Sequence, residues 1–535
     1  MNVNSGTGVQ SNYLQTGIHN TQYNAQTQTF YNTTQPPSDE EKIAECQSAL
    51  LTIRPEDHRA TIINTKGERV AGTCEWIRNN AEYQSLLRGE TRLLCIQGGP
   101  GKGKTMLSIF LTQELERTGK VIYFFCQADD EARRSVTYVL RSLIWQFTVQ
   151  QPATARHLTQ YLYPSDQKQA VLTSKESLWS IFVKITDDPL LTRSFCLLDG
   201  LDECDDESQR WPAMKFTDLC KAHEKMPEGS CMRIMIISRP EILALRASKR
   251  VILDPDHNNQ ISHDIGAFVK SKVQDLSKQL ENLADDTRAE FEATMQNELL
   301  TRAERTFLWV GFATIELLKK RTRTQMEDTI QELPVGLTAM YDRMLLQIDS
   351  LYRDTCSKIL HWVAFATRPL HIDEVEAVLY PESPGLVSTQ QNTLDHLTIC
   401  GAFITISKDM VSLVHESARD YFALARDPHN VALECFHLQP SLVHLEMATT
   451  CLLYVEQMYR LHTSQANLDQ KNTDSTRSQH ATSNTWHQIL TEYAICHWPE
   501  HARLSGDSFE RLQIAVPLFF ARNSFAKGLV VWNVP

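Results

Sequence analysis

The chain has 535 residues, of which 42% are hydrophobic and 22% charged, and a formal net charge of -12. This composition is typical of a globular protein with about three or four domains. The negative charge and the lack of a basic stripe argue against nucleic acid as a partner. Without a membrane-length apolar run or a secretory signal, we expect no stable membrane insertion. The 13 cysteines include no C-x-x-C pair, which favours reduced core cysteines in a cytoplasmic protein.

Residues 1–38 contain no Asp, Glu, Lys or Arg and are rich in Asn, Gln and Thr. Such a segment cannot bury a core, so we expect disorder in the monomer. Uncharged amide-rich sequence also suits cross-β stacking. A flexible tail and a self-templating, amyloid-type signalling segment therefore both remain open interpretations.

Residues 39–90 are expected to be a helical lead-in to the next domain. Apolar spacing predicts helices over 40–51 and 73–87, and the residues at 54–57 and 65–67 are typical of turns.

An apolar strand at 93–96 leads into a G-x-x-x-x-G-K-[ST] match, a phosphate-binding P-loop, and then into a helix that ends near residue 118. Glycines let backbone N–H groups surround phosphate oxygens, and the helix N-terminus adds partial positive charge. We expect Lys104 to reach the β- and γ-phosphates and the Thr105 hydroxyl to bind Mg²⁺. The predicted nucleotide-binding residues are Gly98, Gly99, Pro100, Gly101, Lys102, Gly103, Lys104, Thr105 and Met106.

A second strand is predicted at 121–126, with helices over 135–151 and 174–186. The apolar run at 194–198 then ends in Asp199, as a Walker B strand does, so that Asp199 would hold Mg²⁺ beside the P-loop. Asp202 and Glu203 follow directly, where either carboxylate could polarise the attacking water.

A further strand over 232–238 ends at Arg239, and a short one lies at 251–253. In an ASCE-type P-loop fold, the first of these lies between the P-loop and Walker B strands, so we expect Arg239 to face the γ-phosphate as a sensor or charge stabiliser. The alternative is a surface arginine before a proline. The alternation of strands and helices over 91–258 predicts a three-layer α/β P-loop NTPase sandwich with a mostly parallel sheet.

The remaining chain is predicted to be mainly helical. Residues 259–350 form a helical domain, and 351–426 a winged-helix-like domain with a hairpin over 402–414. Residues 427–461 are expected to be helical, 462–485 a polar linker and 486–535 a helical tail.

These motifs resemble those of fungal NACHT-domain proteins, signal-transducing NTPases of the NOD-like receptor type. The run LLDGLDE at 197–203 resembles the family's Walker B, and ISRP at 237–240 its sensor strand. GTCEW at 72–76 resembles the lead-in to fungal NACHT domains. LPVGL at 333–337 and VHES at 414–417, followed by DYF at 420–422, resemble motifs of the helical and winged-helix domains.

The resemblance implies that Pro334 packs on adenine and that His415 holds the β-phosphate of ADP, although a core histidine is an equally good interpretation of His415. It implies ATP/ADP and Mg²⁺ as cofactors, catalytic roles for Lys104, Asp202, Glu203 and Arg239, and an ADP-locked switch that forms a homo-oligomer with ATP. The N-terminal tail would recruit a downstream effector. A continuously cycling remodelling ATPase and a nucleotide-stabilised scaffold are the alternatives. The family usually carries a globular effector domain and C-terminal repeats, for which we find no sequence signal, so a truncated product is one open interpretation.

Overall fold

The computed structural model describes residues 37–516, except 129, 164–165, 167, 205, 225–231, 241–248, 254–258, 281–283, 381–386, 425–429, 470–488, 507–510, 513 and 515. The amide-rich segment falls almost wholly outside these residues, and so does the last part of the predicted helical tail. Ser38, where that segment ends, caps the first helix by accepting a hydrogen bond from the Glu41 N–H.

A five-stranded sheet forms the centre of the N-terminal half. Its strands are β1 (Leu93–Gln97), β2 (Lys120–Phe125), β3 (Ser194–Asp199), β4 (Met232–Ser238) and β5 (Lys249–Ile252). All pairings are parallel, in the order β2-β3-β4-β1-β5. The prediction that β4 lies between the P-loop and Walker B strands is confirmed.

The sheet is covered on both faces, as a parallel sheet requires. Every residue of β1 is buried; Leu94 and Ile96 belong to one hydrophobic cluster, and Leu93 and Cys95 to the other. The helices of this half are α1 (Asp39–Leu50), α2 (Pro55–Lys66), α3 (Ala81–Arg88), α4 (Lys104–Glu116), α5 (Glu131–Arg134), α6 (Val136–Gln150), α7 (Arg156–Leu162), α8 (Lys168–Thr173), α9 (Lys175–Thr186) and α10 (Asp206–Glu224). The predicted three-layer sandwich is confirmed.

The lead-in differs from its prediction in two places. The single helix expected over 73–87 is divided into a 3₁₀ turn (Glu75–Asn79) and α3, because the Asn80 side chain accepts hydrogen bonds from the backbone of Glu82 and Tyr83 and starts a new helix. Helix α2 occupies a stretch where only turn residues were singled out; Pro55 at its first position has the backbone angle that starts a helix.

The predicted helical region contains α11 (Asn259–Lys278), α12 (Asp285–Arg302), α13 (Phe307–Leu318), α14 (Arg323–Glu332) and α15 (Leu337–Leu346). Helices α12 and α13 are separate, because Glu304 and Arg305 between them adopt positive φ angles of 42° and 59°, which a helix does not accommodate. This interruption brings the start of α13 to the P-loop.

The winged-helix region contains α16 (Arg353–Phe365), β6 (Leu370–His371), α17 (Ile372–Leu379), α18 (Val387–Ile399), β7 (Ile404–Ser407), β8 (Met410–Leu413) and α19 (Glu416–Ala423). Its antiparallel sheet has the order β6-β8-β7. The hairpin between β7 and β8 is confirmed, with Lys408 and Asp409 both at positive φ as a tight hairpin turn requires.

Two further helices follow, α20 (Pro440–Asp469) and α21 (Thr491–Leu504). Helix α20 continues eight residues into the segment predicted as a linker at 462–485, and the rest of that segment lies outside the described residues. A single hydrophobic cluster extends from Leu94 in the sheet through Trp309 and Tyr341 to Tyr493 in α21. Across the part of the chain that the structure describes, no helix is long and apolar enough to cross a membrane.

Candidate nucleotide site

The P-loop connects β1 to α4 and is shaped by its glycines. Gly101 and Gly103 have φ angles of 67° and 81°, which residues with a Cβ rarely adopt. A Cβ at Gly98 would lie 2.8 Å from the Cβ of Leu253. The loop is therefore a cradle that only this glycine pattern allows, and it ends at the N-terminus of α4, where partial positive charge attracts phosphate.

The start of α13 closes over this loop. The Phe307 N–H donates to the Gly101 carbonyl at 3.0 Å, and Lys102 Nζ donates to the Arg305 carbonyl at 3.1 Å. The Phe307 ring lies 3.2 Å from where a Cβ of Gly103 would be. Sequence reasoning missed Phe307, because no local motif marks a contact between elements so far apart in the chain.

Lys104 turns back over the loop that precedes it. Its Nζ donates to the carbonyl oxygens of Gly98 and Gly99 at 2.8 and 3.1 Å. Burial lowers the pKa of Lys104, and the neighbouring Asp202 carboxylate raises it in part. An ammonium held at the concave side of the loop fits the predicted role of binding phosphate. Met106 lies on the first turn of α4 and packs partly buried against the core.

Asp199 ends β3 with only 3% of its surface exposed. Ser108 Oγ donates to its Oδ1 at 2.7 Å. Burial raises the pKa of Asp199, and the hydrogen bonds from Ser108 and Thr105 offset this only in part. A buried carboxylate beside a threonine hydroxyl suits Mg²⁺, whose charge would reverse the effect of burial. Ser108 was missed, although it lies one helical turn after Lys104.

The fit of the implied cofactor can be judged from these features. Glycines that leave no space for side chains, a buried lysine and the helix N-terminus match the phosphate chain of a nucleotide. The pair of Thr105 and Asp199 matches the oxygen ligands of its Mg²⁺ ion. The residues present therefore fit both groups.

Arg239 is held between two carboxylates. Its Nε lies 3.0 Å from Asp202 Oδ2, and its NH1 lies 2.6 Å from Asp420 Oδ2 in α19. Its own backbone N–H also donates to Asp202 Oδ1 at 3.1 Å. The predicted sensor arginine thus joins the Walker B segment to the winged-helix region. The sequence motif at 420–422 contains Asp420, but it did not predict the ion pair of Asp420 with Arg239.

Glu203 differs from the adjacent Asp202 in having, among the described residues, no cation bound directly to it. Burial raises the pKa of Glu203 to about 8, Lys66 lowers it in part, and the nearby carboxylates of Asp202 and Glu416 raise it further. In this state the carboxyl therefore holds its proton near pH 7, and it can accept a proton from water only once a bound cation has lowered its pKa. Both carboxylates stay predicted candidates for the base.

His415 caps the N-terminus of α19. Its Nδ1 accepts the Ser417 backbone N–H at 3.0 Å, so the neutral ring carries its proton on Nε2. Burial lowers the pKa of His415 to about 3, and the charges of Lys66, Lys104 and Arg239 lower it further. The ring is therefore neutral and has an N–H group that can donate to an anion, and these three cations lie near it.

Pro334 lies beside the same region through α13. Its carbonyl accepts the Trp309 indole N–H at 3.0 Å, and Gly336, two residues on, has a φ of 82°. This hydrogen bond fixes the segment against the helix that covers the P-loop. The contact of Pro334 with adenine stays a prediction.

Two family profiles match the chain. The profile described as Nephrocystin 3, N-terminal matches residues 72–239, and the profile described as GPI inositol-deacylase, winged helix domain matches residues 341–433. The first covers the chain from the lead-in motif to Arg239, and the second contains Asp420 and His415.

Two solved structures resemble the chain at low similarity. The Walker-type ATPase of Pyrococcus abyssi has a TM-score of 0.32 and 9% identity, covering 66% of this chain and 97% of that one. The Cdc6p protein of Pyrobaculum aerophilum has a TM-score of 0.31 and 12% identity, covering 70% of this chain and 97% of that one.

Curated relatives are fungal. Vegetative incompatibility protein HET-E-1 of Podospora anserina is 30% identical over 404 residues, which cover 71% of this chain and 28% of that protein. Azaphilone pigments biosynthesis cluster protein L of Monascus ruber is 27% identical over 223 residues, which cover 38% of this chain and 44% of that protein. The chain thus matches less than half the length of either relative. With the P-loop, the Walker B run and the winged helix in place, it belongs to the fungal NACHT-domain P-loop NTPases, of the NOD-like receptor type.

Proposed function

We propose that this protein is a nucleotide-dependent signalling switch. In the proposal, ADP locks the P-loop core against the helical and winged-helix regions, and ATP releases the lock and lets the protein form a homo-oligomer. Slow Mg²⁺-dependent ATP hydrolysis returns it to the locked state.

The observation that carries the proposal is the double ion pair of Arg239. A γ-phosphate sensor is expected to present its guanidinium to the nucleotide, yet here Asp420 of α19 binds it at 2.6 Å. The group that would detect ATP is therefore also the group that holds the winged-helix region. One guanidinium cannot bind the γ-phosphate and the Asp420 carboxylate fully at the same time. In the proposal, the nucleotide state is therefore linked to the contact between the P-loop core and the winged-helix region.

The residues of the site have separable roles in this proposal. Lys104 and the loop N–H groups would hold the phosphates, Thr105 and Asp199 would hold Mg²⁺, and Glu203 would accept the proton of the attacking water. When bound, Mg²⁺ would neutralise charge on the phosphate oxygens. His415 would donate its Nε2–H to the β-phosphate, and Pro334 would support the adenine. Asp202 orients Arg239 rather than the water.

The relative's name suggests the biological setting. HET-E-1 is a vegetative incompatibility protein, and we propose a related role in fungal innate immunity or incompatibility-type cell death in the cytoplasm. Assembly would concentrate the amide-rich N-terminal segments and so recruit a downstream effector.

The decisive experiment measures the nucleotide that remains bound to the purified protein after denaturation. We expect near-stoichiometric ADP in the wild type and little in Lys104→Ala. Lys120→Ala is the matched control, because Lys120 is exposed at the opposite edge of the sheet. Retention of ADP by Lys104→Ala would overturn the assigned site. An empty wild-type site with rapid steady ATP turnover would instead favour the cycling remodelling ATPase.

A further inference from the structure

A cavity of about 90 Å³ lies between the Walker B segment and the winged-helix region. Glu203 lines it from one side, His415 and Glu416 from the other, and Lys66 at the end of α2 from the lead-in. The cavity therefore joins the base candidate to the phosphate-binding histidine. Neither the motifs nor the proposed mechanism above gives Lys66 a role.

The other cations that act on His415 or line the cavity already have partners. Lys104 Nζ is bonded to the carbonyls of Gly98 and Gly99, and Arg239 is paired with both Asp202 and Asp420. Arg368 and Arg419, which also line the cavity, are paired with Glu374 and Glu416. Among the described residues, Lys66 has neither a hydrogen bond nor an ion pair from its ammonium group, and its side chain is exposed.

The charge of Lys66 reaches both walls of the cavity. Second to burial, it is the strongest influence on the pKa of His415, ahead of Lys104 and Arg239. It is also the cation that lowers the pKa of Glu203. An ammonium group that acts on both residues lies close to the space between them.

We propose that Lys66 is an additional phosphate-binding residue, contributed by the lead-in segment, that contacts the terminal phosphoryl group of a nucleoside triphosphate. This inference rests on the proposed function, since it assumes that the P-loop holds a nucleotide. An anion that enters the cavity beyond the β-phosphate meets the ammonium of Lys66 while Arg239 is still bound to Asp420. In this proposal, Lys66 binds the terminal phosphoryl group before the winged-helix region is released.

Through this contact, the lead-in segment would touch the nucleotide directly. Lys66 is the last residue of α2, and α1 at the N-terminal side of α2 begins directly after the amide-rich segment. A merely structural lysine at this position would only favour the C-terminal end of the helix dipole, and would not distinguish triphosphate from diphosphate.

The test compares affinities for ADP and for the β,γ-imido analogue of ATP, each with Mg²⁺, in wild type, Lys66→Met, Lys66→Arg and the control Lys120→Met. Losing one charge-assisted hydrogen bond should weaken binding of the imido analogue about tenfold in Lys66→Met. ADP affinity should stay within about twofold, and Lys66→Arg should retain most of the preference. Lys120→Met should match the wild type for both ligands.

Equal affinities for the imido analogue in Lys66→Met and wild type would overturn the inference, and so would an equal loss for both ligands. A wild type that binds neither nucleotide would overturn both the proposed function and this inference. A wild type that binds both but never assembles, together with a selective loss in Lys66→Met, would overturn the switch and leave the role of Lys66 in place.

Discussion

At the scale of single residues, Asp202 and Glu203 show how packing separates two adjacent carboxylates. Asp202 is bound by the guanidinium and the backbone N–H of Arg239, whereas Glu203 is partly buried and has no directly bonded cation from the described part of the chain. The sequence alone leaves open which of them activates water. The ion pair of Asp202 suits a positioning role, and Glu203 is the base in the proposed function.

We expect Glu203→Gln to bind nucleotide normally and to lose ATP hydrolysis by roughly 100-fold or more, because glutamine cannot accept the proton. Hydrolysis is measured by phosphate release over several hours. Asp202→Asn should retain more turnover, since it disturbs the orientation of Arg239 only. Equal turnover in Glu203→Gln and wild type would remove Glu203 from the mechanism.

Glu203 should also affect the pH dependence of stability. Burial raises its pKa to about 8 in the folded chain, from 4.5 as the ordinary value. The folded state therefore binds the extra proton between these values, and stability is lost as pH rises through 8. Without added nucleotide, melting temperatures at pH 6 and pH 9 should differ less in Glu203→Gln than in the wild type. An identical pH dependence in the variant and the wild type would contradict a raised pKa for Glu203.

At the scale of elements, α20 and α21 meet through a buried chain of hydrogen bonds. The Tyr493 hydroxyl oxygen accepts a hydrogen bond from the Thr367 N–H at 3.2 Å. Its own O–H then donates to His501 Nε2 at 2.8 Å. The proton of His501 then lies on Nδ1, which donates to His444 Nδ1 at 2.9 Å. Every donor finds an acceptor only while both imidazoles are neutral.

Burial lowers the pKa of His444 to about 4 and that of His501 to about 3. The unfolded chain therefore binds more protons below pH 6.5, and stability falls as pH decreases from that value, by about 1 kcal/mol per histidine at pH 5.5. Glu500 favours the charge on His444, and Arg419 and Arg503 oppose it. His444→Phe should lose less stability than the wild type between pH 7.5 and 5.5 in thermal melts. At pH 8 both rings are neutral, so a melt at that pH measures the intrinsic cost of the substitution. If His444→Phe lost as much stability at pH 5.5 as the wild type does, the expectation would be wrong.

The helices and strands also show where the local spacing of apolar residues stops predicting secondary structure. Strands β1 to β5 and the hairpin of β7 and β8 follow from apolar runs and turn residues, because those signals lie within a few neighbouring residues. The expected helix over 73–87 is wrong, since Asn80 accepts two backbone hydrogen bonds and starts α3 separately. Apolar spacing alone does not register such a cap.

At the scale of the whole molecule, the ion pair between Arg239 and Asp420 connects the carboxyl end of β4, the central strand of the sheet, with α19. Asp420 is partly exposed, so the pair contributes modestly to the stability of the closed arrangement. In the proposed switch its effect on function is larger, because the same arginine follows the strand beside the P-loop. A small change in the free energy of this contact would then shift the balance between the proposed closed and open forms.

We expect Asp420→Asn to speed ADP release by roughly fivefold, corresponding to about 1 kcal/mol, and to form oligomers at lower ATP concentration. Release is followed with labelled ADP, and mass by light scattering. Asp409→Asn is the matched control, because it removes the same charge in the same region and asparagine tolerates the positive φ of 62° found there. Unchanged release in Asp420→Asn would show that this contact does not lock the switch.

The P-loop and the Walker B run are determined by the sequence itself, because each depends on residues adjacent in the chain. The place of β4 beside β1 follows from the P-loop fold that these motifs predict. The pairing of Ser108 with Asp199 spans 91 residues, and that of Arg239 with Asp420 spans 181. No local spacing encodes such contacts, so only the tertiary structure decides them. They arise when helices pack on the sheet and exclude water. The same packing pairs Asp202 with Arg239, raises the pKa of Glu203 and leaves Lys66 without a partner among the described residues.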